Sequence, residues 1–311
     1  MKFLITLSKE HPTLPLMELK SVLEGGGLKY KMADKGEAGV VLAVTGRDES
    51  FLKRLAFSKT AVKIVGKQCD GKNLIKLEKI ISDGSFRVSS SDKEVERSLG
   101  ARLSSKGLRV DLASPDFNVV VKDGFVGIDV PLNRDFNSRK PQHRPFFHPT
   151  SMHPKFARVL INLARVKPGE VVYDPFCGTG GILIEAGLIG MRISGCDVDQ
   201  QMVSGCKKNL GHYGLSGEVD KADALTHKTR ADAIVTDPPY GRSSYMTGKD
   251  AQQLYKKFIA HAAEILTKGK RMVLVAPSQY KLEFPEFKVN DHYDVRMHKS
   301  LTRRIWVTKK I

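Results

Sequence analysis

Residues 174–181 read Asp-Pro-Phe-Cys-Gly-Thr-Gly-Gly and directly follow the short apolar run 171–173. Glycine has no side chain, so Gly178 and Gly180 let the backbone turn sharply and approach a ligand closely. A helix that begins at Gly181 presents free N–H groups to that ligand. The stretch therefore predicts a strand, a ligand-binding loop and a helix, in that order.

The glycine loop does not match the common phosphate-binding patterns. Its Gly-x-Gly-Gly spacing differs from the Gly-x-Gly-x-x-Gly of dinucleotide sites, and no Gly-Lys-Ser/Thr follows that would hold a nucleoside triphosphate. Taken alone, the pattern also leaves open a tight turn that binds nothing.

The sequence around the loop alternates regularly between strand and helix. Helices are predicted at residues 156–163, 181–189, 200–212 and 252–266, and strands at 171–173, 192–196, 218–221, 233–236, 272–276 and 301–307. This alternation predicts an α/β fold with a mostly parallel, Rossmann-like sheet that is covered by helices on both faces. Ligands of such sheets bind at the carboxyl ends of the strands, where each of the motifs falls.

Acidic residues follow two further strands of the predicted sheet. Asp197 closes the strand after the glycine loop, where a carboxylate can accept hydrogen bonds from both hydroxyls of a ribose. Asp223 and Ala224 follow the next strand, where a carboxylate could accept a hydrogen bond from the exocyclic amine of adenine. Either acid alone is equally typical of a helix cap or a turn. Together they indicate a ligand with ribose and adenine but no pyrophosphate, which suggests S-adenosylmethionine.

Residues 237–241 read Asp-Pro-Pro-Tyr-Gly and close the fourth strand. An exocyclic amine is a poor nucleophile because its lone pair is delocalised into the ring, and acceptors for its hydrogens counteract this. The Asp237 carboxylate and the Pro238 carbonyl can be those acceptors, while Tyr240 offers a ring for stacking. A proline-stiffened surface turn is the alternative for this run alone. Paired with the glycine loop, it predicts methyl transfer onto an amino nitrogen.

The composition indicates a polyanionic partner. The net charge is +17 with an isoelectric point near 9.6, and the excess is shared: 26 basic against 18 acidic residues up to Pro145, and 25 against 16 beyond it. A basic surface that only aids solubility is the alternative to nucleic-acid binding. No apolar run is long enough to span a bilayer, so we expect a cytoplasmic protein without a membrane partner.

Metal binding is not expected. The four cysteines show no paired spacing for zinc or for a disulfide framework. His143, His148 and His153 recur at five-residue intervals, but neither acids nor cysteines accompany them. We interpret these histidines as part of a linker that lines the cofactor pocket.

A proline-rich, basic stretch at residues 137–149 predicts a semi-rigid linker between two domains. Residues 1–136 then form an N-terminal α+β region, and residues 150–311 form the Rossmann-like domain. In the N-terminal region, strands are predicted at 3–7, 40–44, 86–88, 118–121 and 125–130, and helices at 14–24 and 94–104. The last two strands form a hairpin across Asp123-Gly124.

The second half resembles the class I S-adenosylmethionine-dependent methyltransferases that act on amino nitrogens. More closely, residues 144–149 (Arg-Pro-Phe-Phe-His-Pro), 151–158 (Ser-Met-His-Pro-Lys-Phe-Ala-Arg) and 162–164 resemble the tRNA guanine-N2 methyltransferases that act on guanosine 10. Residues 86–88, 110–112, 115–116 and 126–129 resemble a THUMP module with a core at about residues 60–136. The likeness covers most of the chain and is diffuse before residue 80.

This resemblance implies a mostly parallel seven-stranded sheet, S-adenosylmethionine as cofactor and tRNA as partner, with no metal required. The implied catalytic residues are Asp237, Pro238 and Tyr240. The implied cofactor-binding residues are Asp174, Phe176, Gly178, Thr179, Gly180, Asp197, Val198, Asp223, Ala224, His148 and Ser151. The residues implied to bind the tRNA are Pro239, Gly241, Arg87, Lys106, Arg109, Arg139 and Arg144.

Several alternatives stay open on the sequence alone. Ribosomal RNA guanine-N2 methylation, or methylation of another nucleic-acid amino group, would use the same four-residue site. An alternative from another functional class is a noncatalytic RNA-binding protein with a methyltransferase fold. The intact motifs disfavour this alternative. Addition of one or two methyl groups and the need for a small activating protein partner are equally undecided.

Overall fold

The computed structural model describes residues 1–34, 39–67, 70–133, 135–240, 248–298 and 301–311. The chain forms two compact units. The first unit comprises Met1–Lys9, Leu28–Lys53 and Ser58–Leu132; the second comprises Glu10–Gly27, Arg54–Phe57 and Asn133–Ile311. Helix α1 (Leu14–Gly25) therefore belongs to the second unit, although the sequence analysis grouped it with residues 1–136.

The first unit contains one mixed sheet. Among the described residues its order is β2-β3-β1-β4-β8-β7-β5-β6, and only the β5–β6 and β5–β7 pairs are parallel. The strands are β1 (Lys2–Leu7), β2 (Tyr30–Asp34), β3 (Val40–Val44), β4 (Ser58–Gly66), β5 (Ser85–Ser90), β6 (Arg109–Val110), β7 (Phe117–Lys122) and β8 (Phe125–Asp129); the helices are α2 (Gly71–Ile81) and α3 (Lys93–Ser104).

Both helices of the first unit begin at an aspartate cap. Asp70 accepts a hydrogen bond from the Asn73 amide, and Asp92 accepts one from the Glu94 amide, which satisfies N–H groups that the first turn leaves free. The apolar sides of the helices pack against the sheet in one cluster that includes Leu74, Leu77, Ile81, Phe86, Leu99, Leu103, Val119 and Val126. The predicted hairpin across Asp123-Gly124 is confirmed, with positive φ at both residues.

The second unit contains one seven-stranded sheet in the described residues, in the order β11-β10-β9-β12-β13-β15-β14. Neighbouring strands from β11 to β13 pair in parallel, and β15 pairs antiparallel with both β13 and β14. The mostly parallel, Rossmann-like sheet predicted from the sequence is confirmed. The strands are β9 (Val171–Asp174), β10 (Arg192–Asp197), β11 (Glu218–Lys221), β12 (Ala231–Thr236), β13 (Leu266–Pro277), β14 (Phe287–His298) and β15 (Leu301–Lys310).

Helices cover both faces of this sheet. They are α4 (Pro154–Leu163), α5 (Gly181–Gly187), α6 (Gln200–His212) and α7 (Gly248–Ile265). Successive strand residues point to opposite faces, so Val172 joins the apolar cluster with α4 and α5, whereas Tyr173 joins the cluster with α7. Across the described part of the chain, no helix has both the length and the apolar composition needed to cross a membrane.

Helix α1 is fixed to the second unit by a buried carboxylate. Glu18 accepts hydrogen bonds from the amides of Ala56 (2.8 Å) and Phe57 (2.7 Å) and from Nδ2 of Asn162 in α4 (2.8 Å). Burial raises the pKa of Glu18 above its ordinary value. The segments 10–27 and 54–57 therefore complete the core beside α4.

Candidate active site

A cavity of about 720 Å³ opens at the carboxyl ends of the parallel strands in the second unit. It is large enough for a nucleoside-sized ligand together with a second ring. All the residues implied to bind cofactor, apart from Gly180, line it: His148, Ser151, Asp174, Phe176, Gly178, Thr179, Asp197, Val198, Asp223 and Ala224. The residues implied for catalysis, Asp237, Pro238 and Tyr240, line the same cavity together with Pro239. The structure thus brings the two sequence motifs to one place.

The glycine loop between β9 and α5 has the backbone shape that only glycine adopts without strain. Gly178 has φ +49° and Gly180 has φ +83°. A Cβ added to Gly180 would lie 2.6 Å from the Cys206 Sγ, so α6 leaves no room for a side chain. Gly180 is also the N-cap residue that directly precedes α5. Its role is to shape the loop, while Gly178 and Thr179 face the cavity.

Asp197 at the end of β10 is hydrogen-bonded to the glycine loop. Its Oδ2 accepts the Gly178 amide at 3.0 Å, and its Oδ1 accepts the Asp199 amide at 3.0 Å. Burial raises its pKa above the ordinary value. Each carboxylate oxygen has a second lone pair, which a ribose hydroxyl can use. The arrangement fits the sugar of an adenosyl group.

Asp174 at the end of β9 joins two neighbouring strands. Its Oδ1 accepts the Thr236 hydroxyl at 2.6 Å and the Phe176 amide at 3.2 Å. Burial raises its pKa to about 7. Phe176 packs edge-on against Phe258 of α7, with ring centroids 5.3 Å apart. These contacts hold the start of the glycine loop at the cavity wall.

The linker before α4 is bonded to the same loop. The Ser151 hydroxyl lies 2.8 Å from that of Thr179. Asn209, which is fully buried on α6, accepts the Phe146 amide at 2.9 Å and donates to the carbonyl oxygens of Phe146 (2.9 Å) and Thr179 (3.0 Å). Asn209 was not predicted from the sequence. It is a polar residue in an otherwise apolar face of the helix, and this break in the pattern is the sequence signal that could have indicated it.

Asp237 lies at the end of β12 with its side chain only 15% exposed. Its Oδ2 is 3.2 Å from Nη1 of Arg303 on β15. Burial raises the pKa of Asp237 to about 6, and the positive charge of Arg303 opposes that rise. Among the described residues, its Oδ1 is buried without a hydrogen-bond partner. One carboxylate oxygen is therefore free to accept a hydrogen from a ligand.

The residues after Asp237 are held by a buried tyrosine that the sequence analysis missed. The Tyr255 hydroxyl on α7 shares its hydrogen between the carbonyl oxygens of Pro238 at 3.2 Å and Val275 at 3.3 Å. Burial raises the pKa of Tyr255, so it stays protonated and remains a donor. The carbonyl keeps a second lone pair for a ligand. Beyond it, the Tyr240 ring lies under the Arg303 guanidinium, whose central carbon is 5.3 Å from the ring centroid; Gly241 lies outside the described residues.

The basic residues implied to bind tRNA fall into two groups. Arg139 and Arg144 are buried in the second unit: Arg139 pairs with Glu185 at 2.7 Å, and Arg144 donates to the Arg139 carbonyl at 3.1 Å. We infer a structural role for both. Lys106 and Arg109 of the first unit keep 55% and 75% of their side chains exposed while they pair with acids.

Arg87 lies on β5 of the first unit. Its Nε is 3.4 Å from the Asn118 amide oxygen, and its side chain lines a separate groove in that unit together with Lys63, Lys76 and Lys79. The groove combines these cations with apolar residues and with the acidic residues Glu49, Asp116 and Asp129, and Lys63 pairs with Glu49. Arg87 therefore lies in a groove of mixed charge.

Neither covalent nor metal chemistry is indicated at the site. A hydrogen bond with Cys206 and burial raise the pKa of the Cys177 thiol, so it is protonated and a poor nucleophile. Within the described ranges, no group of three or more His, Cys, Asp and Glu side chains could hold a metal ion. Among the acceptors that the cavity offers to a ligand are Asp237 Oδ1 and the Pro238 carbonyl oxygen.

A parallel sheet covered on both faces, a glycine loop with an acid on the next strand and an Asp-Pro-Pro-Tyr run beside them define a class I S-adenosylmethionine-dependent methyltransferase. A family model described as "RMKL-like, methyltransferase domain" matches residues 141–305. The chain belongs to the tRNA (guanine(10)-N2)-dimethyltransferase family, because it is 38% identical over the full length of both chains to the protein of that name from Methanothermobacter thermautotrophicus. The predicted family and the predicted class of enzyme are both confirmed.

Other comparisons agree with this assignment. The chain is 36% identical to the tRNA (guanine(10)-N2)-dimethyltransferase of Pyrococcus abyssi, over 69% of this chain and 68% of that protein. The crystal structure of TrmN from Thermus thermophilus matches over the whole of both chains with a TM-score of 0.55 and 23% identity, which shows a shared fold. A DNA methylase family model matches residues 55–208, a range that includes the glycine loop but ends before Asp237.

Proposed function

We propose that this protein transfers methyl groups from S-adenosylmethionine to the exocyclic N2 of guanosine 10 in tRNA, and that it does so twice. The observation that carries the chemistry is the pair of acceptors, Asp237 Oδ1 and the Pro238 carbonyl, at the end of the strand beside the cofactor cavity. The choice of nucleoside and the second transfer are supported by relatives that are named tRNA (guanine(10)-N2)-dimethyltransferases.

The residues of the cavity fit the methyl donor. Asp197 would bind the ribose, Asp223 the adenine amine, and the glycine loop would pass close to the remaining part of the molecule. When bound, S-adenosylmethionine supplies an electrophilic methyl group on a sulfonium sulfur, and its transfer breaks the carbon–sulfur bond and leaves S-adenosylhomocysteine. The protein's own residues then have to orient and activate the nitrogen that receives it.

Activation of the amine follows from the two acceptors. Hydrogen bonds from N2 to the Asp237 carboxylate and the Pro238 carbonyl draw the lone pair out of the ring and toward the methyl group. As the nitrogen forms its new bond to carbon, it must lose a proton, and a carboxylate with a pKa of about 6 can accept it near neutral pH. Tyr255 holds the Pro238 carbonyl in place during this step.

The target base has to leave its helix to reach these groups. A stacked and paired guanine cannot present N2 to the methyl donor, and extruding it costs about a few kcal/mol. The Tyr240 ring, which lines the cavity, can stack on the extruded base and recover part of that cost.

We further propose that the first unit binds the tRNA as a THUMP-containing module. Its exposed or groove-lining cations, Arg87, Lys106 and Arg109, are suited to contacts with phosphates, which position an RNA without reading its sequence. Since the substrate is tRNA, the protein would act in the cytoplasm.

The proposed function is tested by nucleoside analysis. Unmodified tRNA transcript is incubated with the protein and methyl-labelled S-adenosylmethionine, digested and analysed by mass spectrometry. The expected products are N2-methylguanosine, followed by N2,N2-dimethylguanosine as the reaction proceeds. Label in adenosine or cytidine, or no label at all, would contradict the proposal.

Replacing Asp197 with alanine is expected to weaken cofactor binding by roughly 10- to 100-fold. The variant loses a carboxylate that would make charge-assisted hydrogen bonds to the ribose and that also holds the Gly178 amide. Calorimetric titration with S-adenosylhomocysteine measures the effect, and Asp220→Ala at an exposed position of β11 is the matched control. An unchanged dissociation constant in Asp197→Ala would refute the assigned role.

The transfer rate at saturating cofactor is expected to fall at acid pH. Asp237 must be ionised to accept the N2 hydrogen, and burial raises its pKa to about 6. Because the raised value still lies below neutrality, the rate should be constant above about pH 7 and drop about tenfold per unit well below pH 6. Single-turnover rates at saturating cofactor separate this effect from titration of Asp174, which would alter cofactor binding. A flat profile between about pH 5 and pH 8 would be inconsistent with Asp237 as the acceptor.

A further inference from the structure

Arg303 lies inside the candidate active site although no motif of the sequence includes it. It is near the beginning of β15, and because β15 runs antiparallel to β13, this beginning lies at the edge where the parallel strands end. Its partner in the sheet is Pro277, the last residue of β13. Its side chain is 18% exposed and lines the same cavity as Asp197 and Asp237.

The Arg303 guanidinium contacts both reactive neighbours but uses only part of its donor capacity. Nη1 lies 3.2 Å from Asp237 Oδ2, and the central carbon lies 5.3 Å from the centroid of the Tyr240 ring. A guanidinium carries five N–H donors in a fixed plane. In the part of the chain that the structure describes, its Nε is buried without a hydrogen-bond partner. Buried donors of this kind are costly unless a ligand satisfies them.

The order of groups across Asp237 and Arg303 complements one edge of guanine. That edge presents the N2 amine, the N1 hydrogen and the O6 oxygen in a row, which are two donors followed by one acceptor. Asp237 offers a free oxygen, Oδ1, and a second oxygen, Oδ2, with the Arg303 donors directly beside it. The two carboxylate oxygens of Asp237 can therefore accept from N2 and N1, and Arg303 beside them can donate to O6.

We propose that Arg303 is the residue that selects guanine, by donating a hydrogen bond to O6 while the Asp237 carboxylate accepts from N2 and N1. The inference rests on the proposed function and specifies how the base is recognised. It separates guanine from other amines that could reach an Asp-Pro-Pro-Tyr site. A purine that lacks the N1 hydrogen would direct a lone pair at the carboxylate, and an amine at position 6 would meet the guanidinium with a donor.

The test uses tRNA in which the nucleoside at position 10 is either guanosine or 2,6-diaminopurine riboside. The analogue keeps the amine at position 2 but lacks the N1 hydrogen and carries an amine in place of O6. We expect the wild type to favour guanosine. In Arg303→Met the single-turnover efficiency on guanosine should fall about 10- to 100-fold more than the efficiency on the analogue, so that the preference for guanosine narrows.

Two further variants make the result specific. Arg304→Met is the matched control, because Arg304 pairs with Asp294 at 2.6 Å outside the cavity, and it should keep the wild-type preference. Arg303→Lys retains the charge beside Asp237 but loses the planar fork of N–H donors. Its preference for guanosine should therefore lie between those of the wild type and Arg303→Met. Unchanged affinity of both Arg303 variants for S-adenosylhomocysteine is the expected sign that the cavity is intact.

Each contrary result has a distinct meaning. If Arg303→Met keeps the wild-type preference while both rates fall, Arg303 acts only on the charge of Asp237 and the selection proposal is overturned. If the wild type methylates both nucleosides equally, the selection proposal is overturned and the proposed function stands. If the wild type methylates neither, both are overturned.

Discussion

Replacing Asp237 with alanine is expected to lower the rate of methyl transfer by about 10²- to 10⁴-fold. The change removes the carboxylate that we propose as acceptor of the N2 hydrogen and leaves only the Pro238 carbonyl as proposed acceptor. Binding of cofactor and tRNA should be retained, because in the described residues Asp237 pairs with Arg303 and makes no hydrogen bond to the glycine loop. Single-turnover rates at saturating substrate measure the loss.

Cofactor and tRNA dissociation constants are measured on the same Asp237→Ala preparation. Unchanged values would show that the lower rate arises in the methyl-transfer step and not in binding. Asp220→Ala serves again as control, since that carboxylate is 59% exposed on β11 and lies outside the cavity. Turnover of Asp237→Ala at the wild-type rate would rule out the acceptor role and, with it, the proposed mechanism of activation.

Replacing Glu185 with leucine is expected to destabilise the second unit by about 3–5 kcal/mol. Glu185 on α5 has no exposed surface and binds two buried arginines, Arg139 Nε at 2.7 Å and Arg158 Nη2 at 2.6 Å. The Phe136 ring lies under both guanidinium groups, at 5.0 and 5.8 Å. Leucine would leave two buried guanidinium groups without the carboxylate to which both are hydrogen-bonded. For a unit of this size, the thermal midpoint should fall on the order of 10 °C.

Two comparisons decide whether buried charge is the cause. Glu264→Leu removes a carboxylate that is 69% exposed, and it should change the midpoint little. The triple variant Glu185→Leu, Arg139→Met, Arg158→Leu removes all three charges and should recover much of the loss, because apolar side chains can replace a buried ionic cluster. A single Glu185→Leu variant as stable as Glu264→Leu would mean that the cluster contributes nothing.

The strands that form the cofactor half of the second unit could be predicted from the sequence because each is a short apolar run between helix and turn signals. The structure confirms these strands at β9, β10, β11 and β12. The edge strand β14 was not predicted. Its alternation is interrupted where the pairing with β15 shifts register between Val289 and Asp291, and such a bulge breaks the period of two on which strand prediction depends.

The residues of the candidate site also differ in whether the sequence alone could predict them. Asp197 and Asp237 could be predicted because each directly ends a strand, so its position follows from the local sequence. Arg303 could not be placed until β15 was known to insert between β13 and β14. A weak signal did exist: Arg303 shares one face of its strand with Ile305 and Val307, which are both buried.

The grouping of α1 with the second unit could not be predicted for a similar reason. Local sequence predicts the helix, but its partners lie far along the chain. Glu18 bonds to Ala56, Phe57 and Asn162, and Arg165 pairs with Glu24. Contacts between residues so distant in sequence leave no periodic pattern in any one segment, so composition and linker signals could not indicate them.

The most direct measurement is methylation of two tRNA transcripts that differ only in the base pair that contains position 10. The protein is incubated with S-adenosylmethionine and either the guanosine-10 transcript or one in which adenosine replaces that guanosine and its pairing partner is changed to match. We expect N2-methylated guanosine from the first transcript and none from the second. Equal amounts of N2-methylated guanosine from both would contradict guanosine 10 as the target, and product in neither would contradict the proposed activity.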